Sequence, residues 1–187
     1  MKFSALEEYG LRFILQMAKQ GSDEVTTIQD LAEKEAITPA YVAKLMRILR
    51  KAKLVQSIRG QQGGYQLARA ADQITIYQVL IALGGPLYSG DYCHQYPGVV
   101  HVCVRSVDCS IRSLWEGVNH LFAQALSNCK LTDLLVGEIK MNQWIKTNWP
   151  ETPKEISDPS RNNRVIHSST RTRSSSKMHS GLSKDQA

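Results

Sequence analysis

The chain has 187 residues, 42% of them apolar and 21% charged, with a formal net charge of +6. That supports one or two domains with a true core and disfavours a wholly disordered chain. Its longest apolar run, Val79 to Leu83, falls far short of the roughly 18–20 residues that span a bilayer, and Glu7, Glu8 and Arg12 interrupt any signal-peptide core, so no membrane association and a cytoplasmic location are expected.

A first helix is expected from about Ser4 to Lys19, with Phe3, Leu6, Leu11, Ile14, Leu15 and Ala18 as its core-facing stripe. Gly21-Ser22-Asp23 ends it. A second helix begins after Thr26 or Thr27. Thr27 and Asp30 have capping-box spacing, and Leu31 and Ala32 face inward. Glu35 to Ile37 turn the chain. A third helix starts with Thr38 as N-cap and Pro39 at the first helical position, where the N–H that proline lacks is not needed. Val42, Leu45, Met46 and Leu49 make its apolar face, and Ala40, Tyr41, Lys44, Arg47 and Lys51 lie largely off it. Two short helices joined by a tight turn form a helix-turn-helix candidate. Two β-like runs follow, Val55 to Ile58 and Tyr65 to Ala68, joined by the glycine-rich turn Arg59 to Gly64. A hairpin directly after such a helix pair is a wing.

Between Glu35 and Asp72 there is no acidic residue, but there are Lys44, Arg47, Arg50, Lys51, Lys53, Arg59 and Arg69. Such a stretch suits a polyanion; the alternative is a solvated basic face. The helix pair and wing favour double-stranded DNA. A major groove about 12 Å wide admits one helix, whose N-terminal residues reach the base edges. Thr38, Pro39, Ala40, Tyr41 and Lys44 are therefore candidates for base or adjacent phosphate contacts, and Arg47 and Lys51 for phosphate. Arg59, with Gly60 at the wing tip, suits a narrow minor groove. The wing glycines allow close approach of backbone to DNA, or only make a tight turn.

After the wing, Ile74-Thr75-Ile76 leads into an apolar helix. Residues 1–85 thus read as a winged helix-turn-helix DNA-binding domain, 86–110 as a cysteine-bearing loop turned by Pro97-Gly98, and 111–148 as a dimerisation helix with a further helical segment. Residues 149–187 read as a disordered basic tail. The last 37 residues hold nine Ser and six apolar residues, with seven Lys/Arg against four Asp/Glu, too little apolar surface to offset the entropy of ordering. The expected fold class is mainly α, a winged helix-turn-helix with a long C-terminal helix. Ile111, Leu114, Trp115, Val118, Leu121, Phe122, Ala125 and Leu126 form one stripe on that helix. The stripe needs cover, from a second copy in a two-fold contact or from its own domain. A two-fold dimer would read a near-palindromic operator with recognition helices about 34 Å apart.

Cys93, Cys103, Cys109 and Cys129 are the only cysteines. In the cytoplasm, metal binding or redox chemistry outranks structural disulfides. Cys93, Cys103 and Cys109 share the loop, and three thiolates there can converge on a soft metal centre. No Cys-x-x-Cys pair is present. Zinc with His94 or His101 as fourth ligand and a metal-free thiol switch near Arg105 or Arg112 stay open. Cys129 lies one turn beyond Ala125 and Leu126 on the same face and reads as core.

Arg59-Gly60-x-x-Gly63-Gly64-Tyr65-x-Leu67-Ala68 resembles the wing signature of the IscR/NsrR-type regulators of the Rrf2 superfamily. Met1-Lys2-x-Ser4, Tyr9-Gly10-Leu11-Arg12, Ile74-Thr75-Ile76 and Gly85-Pro86-Leu87 extend the likeness over roughly residues 1 to 137. The resemblance implies a homodimeric, sequence-specific repressor whose long helix crosses to the partner subunit. Cluster-binding members carry three cysteines in this connection, and Cys109-Ser110-x-x-x-Leu114-Trp115 is similar to their third-cysteine segment. It therefore implies an iron–sulfur cluster, 2Fe-2S or 4Fe-4S, on Cys93, Cys103 and Cys109, sensing iron, redox state or nitric oxide. The first gap is longer than is common in the family, and Arg112 stands where some members have a ligand histidine. Others take a carboxylate from the first helix of the partner subunit, and Glu8 matches that position. Ala43 replaces an acidic residue with which some relatives discriminate between site classes. No phosphate-cradling glycine loop, Ser/His/Asp set or His-Glu-x-x-His pattern points to an enzyme.

Overall fold

Local chemistry sets both ends of the first three helices. The computed structural model describes residues 3–60, 63–96, 99, 103, 105 and 107–149. The expected tail, apart from Trp149, lies outside them, as do Pro97, Gly98 and His101. Helix α1, Ala5–Gln20, starts in a capping box between Ser4 and Glu7. Helix α2, Ile28–Glu35, starts in the expected one. Thr27 Oγ1 accepts the Asp30 N–H at 3.1 Å, and the Asp30 carboxylate accepts the Thr27 N–H at 3.0 Å. Those hydrogen bonds hold the Asp30 carboxyl below its usual range. Helix α3, Pro39–Lys51, follows Thr38, whose hydroxyl accepts the Tyr41 N–H.

The α2–α3 turn rests on Ala36 at φ 52°, in the left-handed region. Its N–H and that of Ile37 bond back to carbonyls of α2, at 3.3 Å and 3.0 Å. An exposed alanine pays a steric cost there that glycine does not. Ala36→Gly is expected to raise stability by roughly 1 kcal/mol, read as a higher urea midpoint at unchanged slope.

The buried face of α1 is Gly10, Phe13, Ile14, Met17 and Ala18. This corrects the expected stripe: Ile14 and Ala18 belong to it, Leu6, Leu11 and Leu15 are half-buried at its margins, and Phe3 is 62% exposed. The shift arises because α1 is packed by α2, α3 and α4 together. Gly10 permits the last of these contacts, since a Cβ there would sit 2.5 Å from Leu83 Cδ1 of helix α4, Ile76–Gly84. The remaining inward residues are as expected: Leu31 and Ala32 on α2, and Val42, Leu45, Met46 and Leu49 on α3.

Strands β1, Val55–Ile58, and β2, Gly64–Leu67, pair antiparallel, with Val55 opposite Leu67 and Ile58 opposite Gly64. The hairpin has a second attachment. Thr26 and Tyr65 exchange both backbone hydrogen bonds, at 2.8 Å and 2.9 Å, so the segment before α2 lies along the free edge of β2.

The helical stretch expected over 111–148 is interrupted. After the short helix α5, Tyr92–Gln95, helix α6 spans Ser110–Ser127, and α7 spans Glu138–Asn148. Between α6 and α7 the chain returns to the core of α1–α4. Ile76 N–H donates to the Cys129 carbonyl at 2.8 Å, Leu131 N–H donates to the Ile74 carbonyl at 2.8 Å, and Leu131 is fully buried. Among the described residues no helix is long and apolar enough to cross a membrane.

Candidate functional site: nucleic-acid face and cysteine connection

Helix α3 presents Thr38, Pro39, Ala40, Lys44, Arg47 and Lys51 to solvent, and the wing presents Arg59 and Gly60. These lie where the sequence places them. Tyr41 differs: it is half-buried, with its ring edge-on to Tyr9 of α1, centroids 5.9 Å apart at 87°. Tyr41 therefore props the start of α3 as well as lying beside the exposed residues. Tyr9 is held in turn by Arg12, whose guanidinium carbon lies 5.4 Å from the ring centroid. Arg12 pairs with Glu8 at 2.8 Å and with Glu35 at 3.8 Å, and the hydrogen bond and charge of Glu8 raise its pKa.

The basic window is not uniform. Arg69 donates to the Gln73 carbonyl at 3.1 Å and to Gln78 Oε1 at 2.7 Å, tying the hairpin exit to the start of α4. Arg50 and Lys53 are exposed and join the solvent-facing cations, although the sequence reading gave them no contact role. The wing glycines also divide. Gly60, at φ +127°, has open space where a Cβ would project, so it alone suits close approach to a partner. A Cβ on Gly63 would strike the Ile58 carbonyl oxygen at 2.8 Å, and one on Gly64 the Thr26 carbonyl oxygen at 2.6 Å. Those two serve the hairpin and its attachment to Thr26.

In the connection, Cys93 lies on α5, Cys109 is the N-cap residue of α6, and Cys103 lies between them; all three are half-buried free thiols. His94 is exposed on α5. Arg112, in the first turn of α6, donates to the Arg105 carbonyl at 3.4 Å and lies within electrostatic reach of the Cys93 and Cys109 sulfurs. Desolvation opposes its charge, but these sulfurs outweigh that and raise its pKa. The pKa of Tyr88 rises through desolvation and the neighbouring Cys93 sulfur. No sequence signal singles out Tyr88. The donor chemistry suits a soft metal or an iron centre. Among the described residues no group of three or more His, Cys, Asp or Glu converges as a metal site.

Cys129 is 1% exposed, in the core as expected, and burial pushes its thiol up to about 11 from 9.0. Because the folded value is the higher one, the unfolded chain ionises first. The stabilisation from a protonated Cys129 is complete below about pH 9 and is lost as pH rises towards about 11. That loss is expected to approach about 3 kcal/mol relative to a Cys129→Ala chain, read by urea unfolding at pH 8 and pH 11.

Along α6, Ile111, Leu114, Trp115 and Leu121 are 53%, 61%, 45% and 65% exposed. Val118 and Ala125 are half-buried, Phe122 packs partly on the core, and only Leu126 is buried. Cover from the chain's own domain thus reaches the C-terminal end of the stripe and stops.

The family described as Iron-dependent Transcriptional regulator, Rrf2, matches residues 3–137. The chain belongs to this family. This Rrf2 regulator is 33% identical over 135 residues to Protein rrf2 of Nitratidesulfovibrio vulgaris, spanning 72% of this chain and 87% of that one. Its fold is similar to that of CymR, the global cysteine regulator of B. subtilis, with a TM-score of 0.57 at 28% identity, covering 72% of this chain and 96% of CymR. It is also similar to T. potens IscR, with a TM-score of 0.55 at 25% identity, covering 81% and 94%. It is a DNA-binding transcription regulator with a winged helix-turn-helix, and not an enzyme. Helix α7 lies beyond the family match.

Proposed function

We propose that this Rrf2 regulator is a cytoplasmic homodimer that represses from a near-palindromic operator, with DNA affinity set by the state of its cysteine connection. Residues 1–85 read DNA, 86–110 carry the sensing cysteines and 111–148 dimerise. Thr38, Pro39, Ala40, Tyr41 and Lys44 face bases or adjacent phosphates, Arg47 and Lys51 face phosphates, and Arg59 and Gly60 enter the minor groove. Ile111, Leu114, Trp115, Val118, Leu121, Phe122 and Ala125 face a second copy. An iron–sulfur centre, 2Fe-2S or 4Fe-4S, is held by Cys93, Cys103 and Cys109, with the partner subunit's Glu8 as fourth ligand. When bound, such a centre supplies a group that oxygen, nitric oxide or iron loss removes.

One observation carries this reading. Three half-buried thiols lie on the segment that joins the DNA-reading helices to the uncovered face of α6. A change of state there adjoins both the reading unit and the dimer contact, and by linkage DNA biases that state equally. The family description, an iron-dependent regulator, supports the iron. The free, half-buried state of all three thiols also supports a second reading, the same regulator with a zinc site or a thiol pair in place of the cluster.

Anaerobic purification with iron and sulfide analysis, followed by operator affinity with and without the centre, tests both. Iron and sulfide that vanish in Cys93→Ala, Cys103→Ala and Cys109→Ala, but persist in Cys129→Ala, are expected, together with a change in affinity. A reconstituted protein free of iron moves the assignment to the second reading. Equal affinities across all plausible sites remove the switch.

A further inference from the structure

Glu35 stands in an unfavourable place for a carboxylate. It is the last residue of α2, where the helix dipole is negative, and its side chain is only 10% exposed. It also precedes the stretch without an acid that ends at Asp72, whose cations suit a polyanion. Helix α1 supplies a reason to keep it. Gln16 Nε2 donates to Glu35 Oε1 at 3.0 Å, and Arg12 Nη1 lies 3.8 Å from Oε2. Both carboxylate oxygens are thus engaged from α1, one residue before the left-handed Ala36. Beyond that turn, Tyr9 of α1 meets Tyr41 in the first turn of α3. Arg12 serves both grips, since it stacks on Tyr9 and pairs with Glu35. Helix α1 therefore straddles the turn of the helix pair. A charge kept in such a place serves placement more than stability, because a well-packed apolar residue is often as stable or more so.

We propose that Glu35 is a positioning residue for DNA reading: Gln16 and Arg12 hold it as a peg, and α1, gripping Glu35 before the turn and Tyr41 after it, fixes the angle at which Thr38 to Lys44 meet the groove. This rests on the proposed DNA contacts of α3.

The test uses the full chain, and the sign of the effect on DNA decides the role of Glu35. If the carboxylate only repels phosphate, Glu35→Ala binds operator and unrelated duplex more tightly. If it only stabilises, the thermal midpoint falls and the folded protein keeps its operator affinity. As a peg, Glu35→Ala weakens operator binding by about 10-fold per half-site, the size of one hydrogen bond to a charged group. Affinity for unrelated duplex then does not fall. Glu35→Gln, which keeps an acceptor for Gln16, recovers most of the loss. Equal or tighter operator binding by folded Glu35→Ala overturns the proposal.

A second measurement needs no DNA. The Ile37 N–H closes the turn onto the Ala32 carbonyl at 3.0 Å. In a chain carrying both Gln16→Leu and Arg12→Gln, that amide should exchange faster with deuterium, while the amides of α4 exchange as in the wild type. Unchanged exchange at Ile37 overturns the proposal even if Glu35→Ala does not fold. Lys44→Ala tests the underlying reading by itself. Full operator affinity in that variant refutes the Lys44 contact alone, and exchange at Ile37 still decides the peg.

Discussion

Replacing Leu114 with Asp is expected to turn the proposed dimer into a folded monomer and to lower operator affinity by at least about 100-fold. Leu114 is 61% exposed on the single chain, between Ile111 and Trp115, which are also uncovered. A carboxylate there costs the lone subunit little, because most of the side chain is already in solvent. Across a two-fold contact it enters an apolar interface, and symmetry places it there twice. DNA affinity then falls because two linked half-sites no longer bind as one, a gain worth roughly 10²–10⁴-fold in linked systems. Sedimentation measures the first effect and anisotropy on operator DNA the second. Leu126→Asp is the contrasting variant. Leu126 is 8% exposed within the core of its own subunit, so the charge should unfold the chain. A Leu114→Asp protein that stays dimeric would show that α6 is covered by something else.

The second large effect is expected at the wing. Arg59→Ala should cost roughly 1–3 kcal/mol at each half-site, and a symmetric operator doubles this to about 2–6 kcal/mol per dimer. Arg59 is exposed beside an equally open Gly60, so its removal should leave the unfolding midpoint unchanged. The pattern of loss identifies the contact. A loss confined to operator DNA marks a base or groove-shape contact. A uniform loss on all sequences, with a shallower salt dependence, marks phosphate. Unchanged affinity on operator DNA removes Arg59 from the interface.

Legibility in the sequence followed the range of the forces. Caps act over three or four residues, so Thr27 with Asp30 and Thr38 with Pro39 disclosed the two helix starts that place the reading face. The inward face of α3 was legible because one apolar stripe meets one core. That of α1 was not, because several elements press on it and move its buried centre to Phe13 and Met17. The return of Cys129 and Leu131 to the core depends on pairing with Ile74 and Ile76, far away in the chain, and leaves no period to read. At the site, exposed cations announced themselves by type and spacing. The support of Tyr41 by Tyr9 and the engagement of Arg69 both join separate elements. The wing glycines looked alike in the sequence; only their surroundings separate open Gly60 from Gly63 and Gly64, which are packed against carbonyls.

Tyr65 belongs to the wing, yet its backbone is bonded to Thr26, the residue before the α2 N-cap. The wing is therefore stitched to the helix pair from both sides, by the chain through β1 and by this bridge. Under the proposed contacts, Arg59 and the first turn of α3 are the two jaws of a calliper with a locked screw. Such an instrument does not adjust to its object. The duplex must bend, widen or narrow to fit the set opening, and sequences that deform readily are favoured at base pairs the protein never touches. A half-site stretched by one base pair, roughly 3.4 Å, leaves one jaw empty whenever the other is seated.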